Sequence, residues 1–168
     1  MVCELGAGTG KLGIGLALHY DCLVTLFDID PDAIIYQMRL QQAVEAIVSR
    51  RIRAMSYKAD IFQLPRKPMF DMVYSEGVVE HWIDDRRQLA IDIHAKLSHN
   101  AVVIMTTNGD NPRAVAKATS KKELFVGSQK EYERPFTRLE LQSAMETAGL
   151  KDVKVLEKDY FLLGAGFK

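Results

Sequence analysis

Three glycines at alternate positions follow directly on the first apolar run of the chain. Residues 2–13 read VCELGAGTGKLG, so the run leads into Gly6, Gly8 and Gly10, and residues 11–20 then suit a helix. A strand that passes through a glycine turn into a helix is where open parallel sheets bind nucleotide-like ligands. Glycine lets the backbone approach the ligand, and the helix start presents unpaired N–H groups. The sequence therefore predicts an α/β chain with a ligand site at its first turn.

The spacing of the glycines separates the ligand classes. The dinucleotide fingerprint has its third glycine three positions after the second, where this chain has Lys11. A phosphate-binding P-loop needs glycine at the position of Leu5 and a hydroxyl at that of Leu12. Both patterns fail, and what remains is G-x-G-x-G preceded by an acidic residue, Glu4.

A second signal is Asp28, which ends the strand predicted over residues 22–27. An acidic side chain at the end of the second strand faces the ligand cleft and can accept hydrogen bonds from both hydroxyls of a ribose. Asp30 followed by Pro31 predicts the start of the next helix, so Asp28 is not needed as a helix cap.

The rest of the chain alternates apolar runs with segments of helical period, which predicts βαβ units and a mainly parallel sheet. The 168 residues suit one domain. Strands are predicted at 1–5, 22–27, 51–58, 70–75, 101–107, 153–156 and 160–163, and helices at 11–20, from Pro31, at 84–97 and at 139–148 before Gly149.

Composition argues against several kinds of partner. Lys plus Arg equals Asp plus Glu at 22 each, so there is no bulk attraction to nucleic acid or an anionic membrane, and we expect neither partner. Cys3 and Cys22 lie in apolar runs without metal-ligand spacing, so we expect buried thiols and no metal. No apolar run is long enough to span a membrane and no secretion signal opens the chain, which favours a cytoplasmic protein.

Taken together, these segments resemble a known family. The runs ELGAGTG and FDID are similar to the first two cofactor motifs of class I S-adenosylmethionine-dependent methyltransferases. Residues 59–65 (ADIFQLP) resemble their third motif, residues 70–82 their fourth strand and loop, and residues 134–155 their last helix and strand. The resemblance is to the small-molecule branch. It implies a doubly wound Rossmann-like sheet of seven strands, in the order 3-2-1-4-5-7-6 with strand 7 antiparallel, in a single domain over residues 1–168. An acceptor-side insertion would lie around 108–137.

The resemblance also implies roles for individual residues. Glu4 and the backbone of Gly6 would hold the methionine end of the cofactor, S-adenosylmethionine. Gly8 and Gly10 would make room beside it, and Asp28 would bind the ribose hydroxyls.

The remaining cofactor contacts follow later strands. Ile29 would pack on the adenine, Asp60 would accept from the adenine amino group, and the Ile61 N–H would meet a ring nitrogen. Ser75 and Glu76 would line the methionine and methyl region.

The transfer itself asks little of the protein. Displacement of a methyl group from a sulfonium needs alignment and desolvation, and a base is needed only for a protonated acceptor. His81, in the pair Glu80-His81, is either that base or a structural residue at a helix start. A metal site of the ubiquinone-pathway type would need Glu where Gly77 stands, and Glu76 is one position too early, so no metal is expected.

The acceptor side is less defined. The aromatic residues there could line an apolar acceptor pocket or belong to the core: Trp82, Phe125, Tyr132 and Phe136. The lysines there form either a solvated face or a site for an acidic acceptor: Lys117, Lys121 and Lys122. Most family members carry helices ahead of the first strand that cover the cofactor. We therefore expect this chain to bind cofactor but to turn over slowly until such a segment is restored.

The sequence leaves three alternative functions open. The leading one is methyl transfer to an O, N or C atom of a small-molecule acceptor. The second is a non-catalytic S-adenosylmethionine-binding domain that serves a partner subunit. The third is a nicotinamide-dependent oxidoreductase, against which the glycine spacing speaks. The oligomeric state is open.

Overall fold

Strands and helices alternate along the chain. The computed structural model describes residues 1–82, 85–109, 135–159 and 161–168. Within these residues the strands are β1 (Val2–Leu5), β2 (Val24–Asp28), β3 (Ala54–Lys58), β4 (Phe70–Glu76), β5 (Ser98–Asn108), β6 (Lys151–Lys158) and β7 (Phe161–Phe167). The α-helices are α1 (Lys11–Tyr20), α2 (Pro31–Val48), α3 (Arg86–Leu97) and α4 (Arg138–Thr147).

The seven strands form one sheet in the order β3-β2-β1-β4-β5-β7-β6. The pairs β1–β2, β2–β3, β1–β4 and β4–β5 are parallel, whereas β7 is antiparallel to both β5 and β6. The predicted strand order and the antiparallel β7 are both confirmed. From β1 the chain builds outward to β3 and then returns to place β4 on the other side of β1. This reversal opens a crevice at the carboxyl ends of β1 and β4, where doubly wound sheets bind their ligands.

The helices pack on the two faces of the sheet through separate cores. On one face, α3 and α4 pack against the strands and bury Ile91, Leu97 and Leu141 completely or almost so. On the other face α1 contributes Ile14 and Ala17 to a smaller cluster around β2 and β3. The alternation of side chains along each parallel strand supplies both faces, because successive residues point in opposite directions.

The helix ends follow the sequence signals. The Asp30 side chain accepts from the Asp32 N–H at the start of α2, and Gly149 follows α4 with a φ of 83°, so both predictions are confirmed. The start of α4 carries a capping box that the prediction missed: Thr137 and Glu140 bond to each other's backbone N–H groups.

The strand bounds differ from the prediction at both edges of the sheet. β3 begins only at Ala54, because pairing with β2 starts at Val24. The strands β6 and β7 are longer than predicted, since β6 is an edge strand whose charged residues hide the apolar signal. The insertion predicted around 108–137 falls mostly on residues outside the described part of the chain.

Candidate functional site

The four strands from β3 to β4 are parallel, so their carboxyl ends meet at one edge of the sheet. The last residues of β1, β2, β3 and β4 are Leu5, Asp28, Lys58 and Glu76. The glycine loop, residues 6–10, therefore lies at the same edge as the segments that follow Asp28 and Lys58. This edge brings together most of the residues that the sequence had marked.

The glycine loop has a left-handed backbone at all three glycines, with φ values of 63° at Gly6, 49° at Gly8 and 67° at Gly10. A β-carbon added to Gly6 would lie 2.5 Å from a methyl of Val78, so there the glycine serves packing. A β-carbon on Gly8 would have no atom within 4 Å. The loop thus leaves open space beside Gly8, as a ligand cradle requires.

Asp28 holds the middle of this loop. Its Oδ2 accepts from the Gly8 N–H at 2.7 Å and its Oδ1 accepts from the Asp30 N–H at 2.9 Å. A carboxylate has about four acceptor positions, so half of its capacity remains for a ligand hydroxyl. The next residue, Ile29, is 63% exposed, which leaves an apolar side chain facing solvent beside the carboxylate.

The segment after β3 is tied to this position. The Ala59 N–H donates to the Asp28 carbonyl at 2.8 Å, which brings Asp60 to the same edge. Asp60 is half-buried, and its Oδ1 accepts from the Phe62 N–H at 2.9 Å, so it caps a short 3-10 turn over Ile61–Gln63. The Ile61 side chain is buried in the core.

Glu4 lies beneath the loop and is only 3% exposed. Its Oε2 accepts from the Tyr74 hydroxyl at 2.8 Å and from the Gly13 N–H, in the first turn of α1, at 3.1 Å. The Gly13 N–H is one of the unpaired donors of a helix start, so Glu4 caps α1 from β1. A β-carbon at Gly13 would lie 2.6 Å from this same oxygen, which explains the glycine there.

Negative charge accumulates around the loop. Burial raises the pKa of Glu4 to about 7, the bonds from Tyr74 and Gly13 oppose that rise, and the charges of Glu76 and Asp28 add to it. Burial and the neighbouring Glu4 also raise the pKa of Tyr74, so its hydroxyl stays a donor. The acidic side chains of Asp28 and Glu76, with Glu4 beneath them, favour a ligand that carries positive charge.

The last two residues of β4, Ser75 and Glu76, face different parts of the molecule. The Ser75 hydroxyl lies 2.9 Å from His94 Nε2, while His94 Nδ1 lies 2.7 Å from the Ala90 carbonyl. Burial lowers the pKa of His94 to about 4, so the ring is neutral, Nδ1–H donates to the carbonyl, and Nε2 accepts from Ser75. The Ser75 side chain thus faces α3, and the part of Ser75 at the edge is its backbone. Glu76 is exposed there.

The loop after β4 carries His81 and Trp82. His81 is exposed and ends a 3-10 turn over Val79–His81. Trp82 packs edge-on against Phe62 at 5.0 Å between ring centroids, which ties this loop to the turn capped by Asp60.

The acceptor-side aromatics and lysines are only partly described. Phe136 is buried, and the Cζ atom of the Arg87 guanidinium lies 3.2 Å from the centroid of its ring. Phe136 is therefore a core residue. The other predicted positions lie outside the described residues: Phe125, Tyr132, Lys117, Lys121 and Lys122.

Sequence reasoning missed two side chains that hold the site. Tyr74 supports Glu4, and Gln37 of α2 donates from Nε2 to the Gly8 carbonyl at 2.9 Å. No local pattern marks either residue, because their partners lie 70 and 29 positions away along the chain.

The described residues outside this edge form no second site of comparable character. Within them no three His, Cys, Asp or Glu side chains are grouped to hold a metal ion. In the same part of the chain, no helix combines the length and the apolar character needed to cross a bilayer. A depression of about 400 Å³ between α2 and β3 is lined by Leu23, Ile52 and Arg53. It lies at the amino ends of β2 and β3, opposite the edge where parallel sheets bind ligands.

Comparison with known proteins identifies the family. Residues 3–103 match the family described as methyltransferase domain, and the chain belongs to it. The resemblance seen in the sequence motifs is therefore confirmed.

Individual relatives sharpen this picture. The malonyl-[acyl-carrier protein] O-methyltransferase of Geobacter sulfurreducens is 27% identical over 163 residues, which cover 94% of this chain and 58% of that protein. The chain thus spans less than two thirds of that relative.

Solved structures share the fold at lower identity. The magnesium protoporphyrin IX methyltransferase from Synechocystis PCC 6803, with bound SAH, is 19% identical with a TM-score of 0.75, over 100% of this chain and 74% of that one. An O-methyltransferase family protein from Burkholderia thailandensis is 17% identical with a TM-score of 0.75, over 99% of this chain and 50% of that one.

Proposed function

We propose that this chain binds S-adenosylmethionine at the glycine loop and transfers its methyl group to an O, N or C atom of a small molecule. The observation that carries the proposal is the open space at Gly8, whose N–H donates to Asp28, together with the charge interactions that link Asp28 and Glu76 to Glu4 beneath the loop. S-adenosylmethionine carries a sulfonium and an ammonium, so this negative edge suits it. The glycine spacing, with Lys11 where the dinucleotide fingerprint has its third glycine, disfavours the oxidoreductase alternative.

The described residues fit the parts of this ligand. Both hydrogen bonds of Glu4 go to Oε2, so Oε1 is the oxygen that we assign to the methionine ammonium. Asp28 keeps acceptor capacity for the ribose hydroxyls, and exposed Ile29 offers an apolar surface to the adenine. We assign the adenine edge to Asp60 and the Ile61 N–H.

The bound cofactor would supply an activated methyl group for in-line displacement. The chain has to hold it, align the acceptor beside the end of β4, and exclude water. We assign the methyl region to Glu76 and the Ser75 backbone, and proton acceptance from a protonated acceptor to His81, which is exposed in the next turn.

An oxygen acceptor is the first to test, because the curated relative and one structural neighbour are named O-methyltransferases. We further propose that residues 1–168 act as one domain, and that the acceptor is neither nucleic acid nor membrane, since 22 basic residues balance 22 acidic ones.

The test is to incubate the chain with S-adenosylmethionine and a panel of small carboxylic acids, phenols and amines, and to quantify S-adenosylhomocysteine by mass spectrometry. We expect acceptor-dependent product, with kcat reduced about 100-fold or more in His81→Gln when that acceptor is protonated. Cofactor affinity should not change in this variant. Binding of cofactor without product from any acceptor would favour the non-catalytic alternative, and an unchanged kcat would leave His81 a structural residue.

A further inference from the structure

Helix α2 buries an amide where an apolar side chain is expected. Among the 18 residues of this helix, Gln37 is the one that is fully buried, at 0% exposure. Helices at a sheet face normally place apolar side chains at their most buried positions. Gln37 therefore needs a reason other than packing.

Its contacts show what the amide does. Nε2 donates to the Gly8 carbonyl at 2.9 Å. The other half of the amide, Oε1, is buried without a hydrogen-bond partner. A buried acceptor without a donor destabilises the folded protein, and Met or Leu at this position would avoid that loss. The hydrogen bond to Gly8 is thus kept against a stability cost.

That bond acts on the most open point of the glycine loop. Asp28 accepts from the Gly8 N–H, and Gln37 donates to the Gly8 carbonyl. The two peptide groups on either side of the Gly8 α-carbon are therefore both fixed, one from β2 and one from α2. A glycine without such restraints samples a wide range of φ and ψ, and a ligand that needs one conformation must then bear the cost of ordering it.

We infer that Gln37 is a positioning residue that presets the glycine loop for the cofactor, through its hydrogen bond to the Gly8 carbonyl and not by filling space. This inference rests on the proposed cofactor site. Gln37 is not assigned any contact with the cofactor itself.

The chain offers a matched control one helical turn away. Gln41 also lies in α2 and also donates from Nε2 to a backbone carbonyl, that of Ile52, at 3.1 Å, and in addition to Glu45 Oε1 at 3.1 Å. It lies beside β3, at the far edge from the glycine loop. Gln37→Met and Gln41→Met each remove a bond from a side-chain amide to a backbone carbonyl while keeping side-chain length, and Gln41→Met also removes the bond to Glu45.

Two measurements separate the outcomes. The first is the dissociation constant of S-adenosylhomocysteine, measured by calorimetry. We expect Gln37→Met to weaken binding roughly tenfold while its melting temperature is unchanged or higher. The affinity of Gln41→Met should stay within about twofold of the parent. The second is amide hydrogen exchange in the ligand-free protein, where Gln37→Met should speed exchange at Gly8 and Gly10. Gln37→Leu serves if the Met variant does not fold.

Equal affinity and equal exchange in the parent and Gln37→Met would overturn the inference, as would equal losses of affinity in both glutamine variants. If the parent itself does not bind S-adenosylhomocysteine, the proposed function fails. The exchange measurement then still decides whether Gln37 orders the loop.

Discussion

Helices α2 and α3 lie on opposite faces of one sheet and are held there by different means. The 18 residues of α2 fully bury a single side chain, and it is the amide of Gln37. The 12 residues of α3 bury seven, among them Ile91, Ile93 and Leu97. Helix α2 is therefore held partly by hydrogen bonds, from Gln37 to Gly8 and from Gln41 to Ile52, beside its half-buried apolar contacts, whereas α3 is held mainly by apolar packing. Stability and binding should then respond to different substitutions.

The largest effect on stability is expected at the apolar buried face of α3. We expect Ile91→Ala to lower the free energy of unfolding by about 2–5 kcal/mol, because the removed atoms leave a cavity in a close-packed core. Ile34→Ala, at a half-buried position of α2, should lower it by roughly 1 kcal/mol. Urea unfolding of both variants measures the difference, and equal losses would contradict the contrast between the helices.

The buried carboxyl group of Glu4 makes the stability of the protein depend on pH. Its pKa is about 7 in the folded protein against an ordinary 4.5, so between these values the folded chain holds a proton that the unfolded chain releases. Stability therefore falls as pH rises through this window, by about 3 kcal/mol in total. We expect Glu4→Gln to be more stable than the parent at pH values above 7 by up to about 3 kcal/mol, with the difference vanishing near the ordinary glutamate pKa. The same variant should bind S-adenosylmethionine more weakly.

The buried His94 of α3 makes stability change with pH in the opposite direction. Its pKa is about 4 against an ordinary 6.5, so between these values the unfolded chain binds a proton that the folded chain does not. Stability then falls as pH falls, and the two groups offset each other in the parent. Glu4→Gln should expose the His94 slope in a series of thermal melts at decreasing pH. A variant with the same flat pH profile as the parent would show that Glu4 titrates normally.

Asp28 and Asp30 form a matched pair of carboxylates two residues apart. We expect Asp28→Ala to weaken S-adenosylhomocysteine binding by roughly 1–3 kcal/mol, through the loss of a charged acceptor for the ribose. Asp30→Ala removes the cap of α2 and should lower stability by about 1 kcal/mol without changing affinity. Calorimetry measures the affinity of each variant, and denaturation measures its stability. An unaltered affinity in Asp28→Ala would place the ribose elsewhere.

Two glycines with open surroundings give the smallest effects on stability. Gly8→Ala meets no atom but has a φ of 49°, so we expect a stability loss of about 1–2 kcal/mol and a larger loss of cofactor affinity. Gly15→Ala, in the middle of α1 and equally open, should raise stability by about 0.5–1 kcal/mol and leave binding unchanged. Thermal melts with and without ligand compare them. Equal affinities would mean that the space beside Gly8 is not the ligand site.

How far the sequence predicted this molecule depends on the distance along the chain between interacting residues. The glycine loop, the position of Asp28 and the cap at Asp30 were predicted because their signals are local. The hydrogen bonds of Gln37 to Gly8 and of Tyr74 to Glu4 join residues 29 and 70 positions apart, so no pattern in either segment reveals them. The pairing of Ser75 with His94 is of the same kind. The capping box from Thr137 to Glu140 was local and could have been found.

The central claim is that the acidic edge around the glycine loop binds the cofactor of methyl transfer and not a dinucleotide. Thermal unfolding of the unmodified chain with millimolar S-adenosylhomocysteine, and separately with millimolar NAD, tests it most directly. A ligand that binds only the folded state raises the melting temperature by mass action. A rise with S-adenosylhomocysteine and none with NAD is the predicted result. A rise with NAD alone, or no rise with S-adenosylhomocysteine in a folded preparation, would contradict the claim.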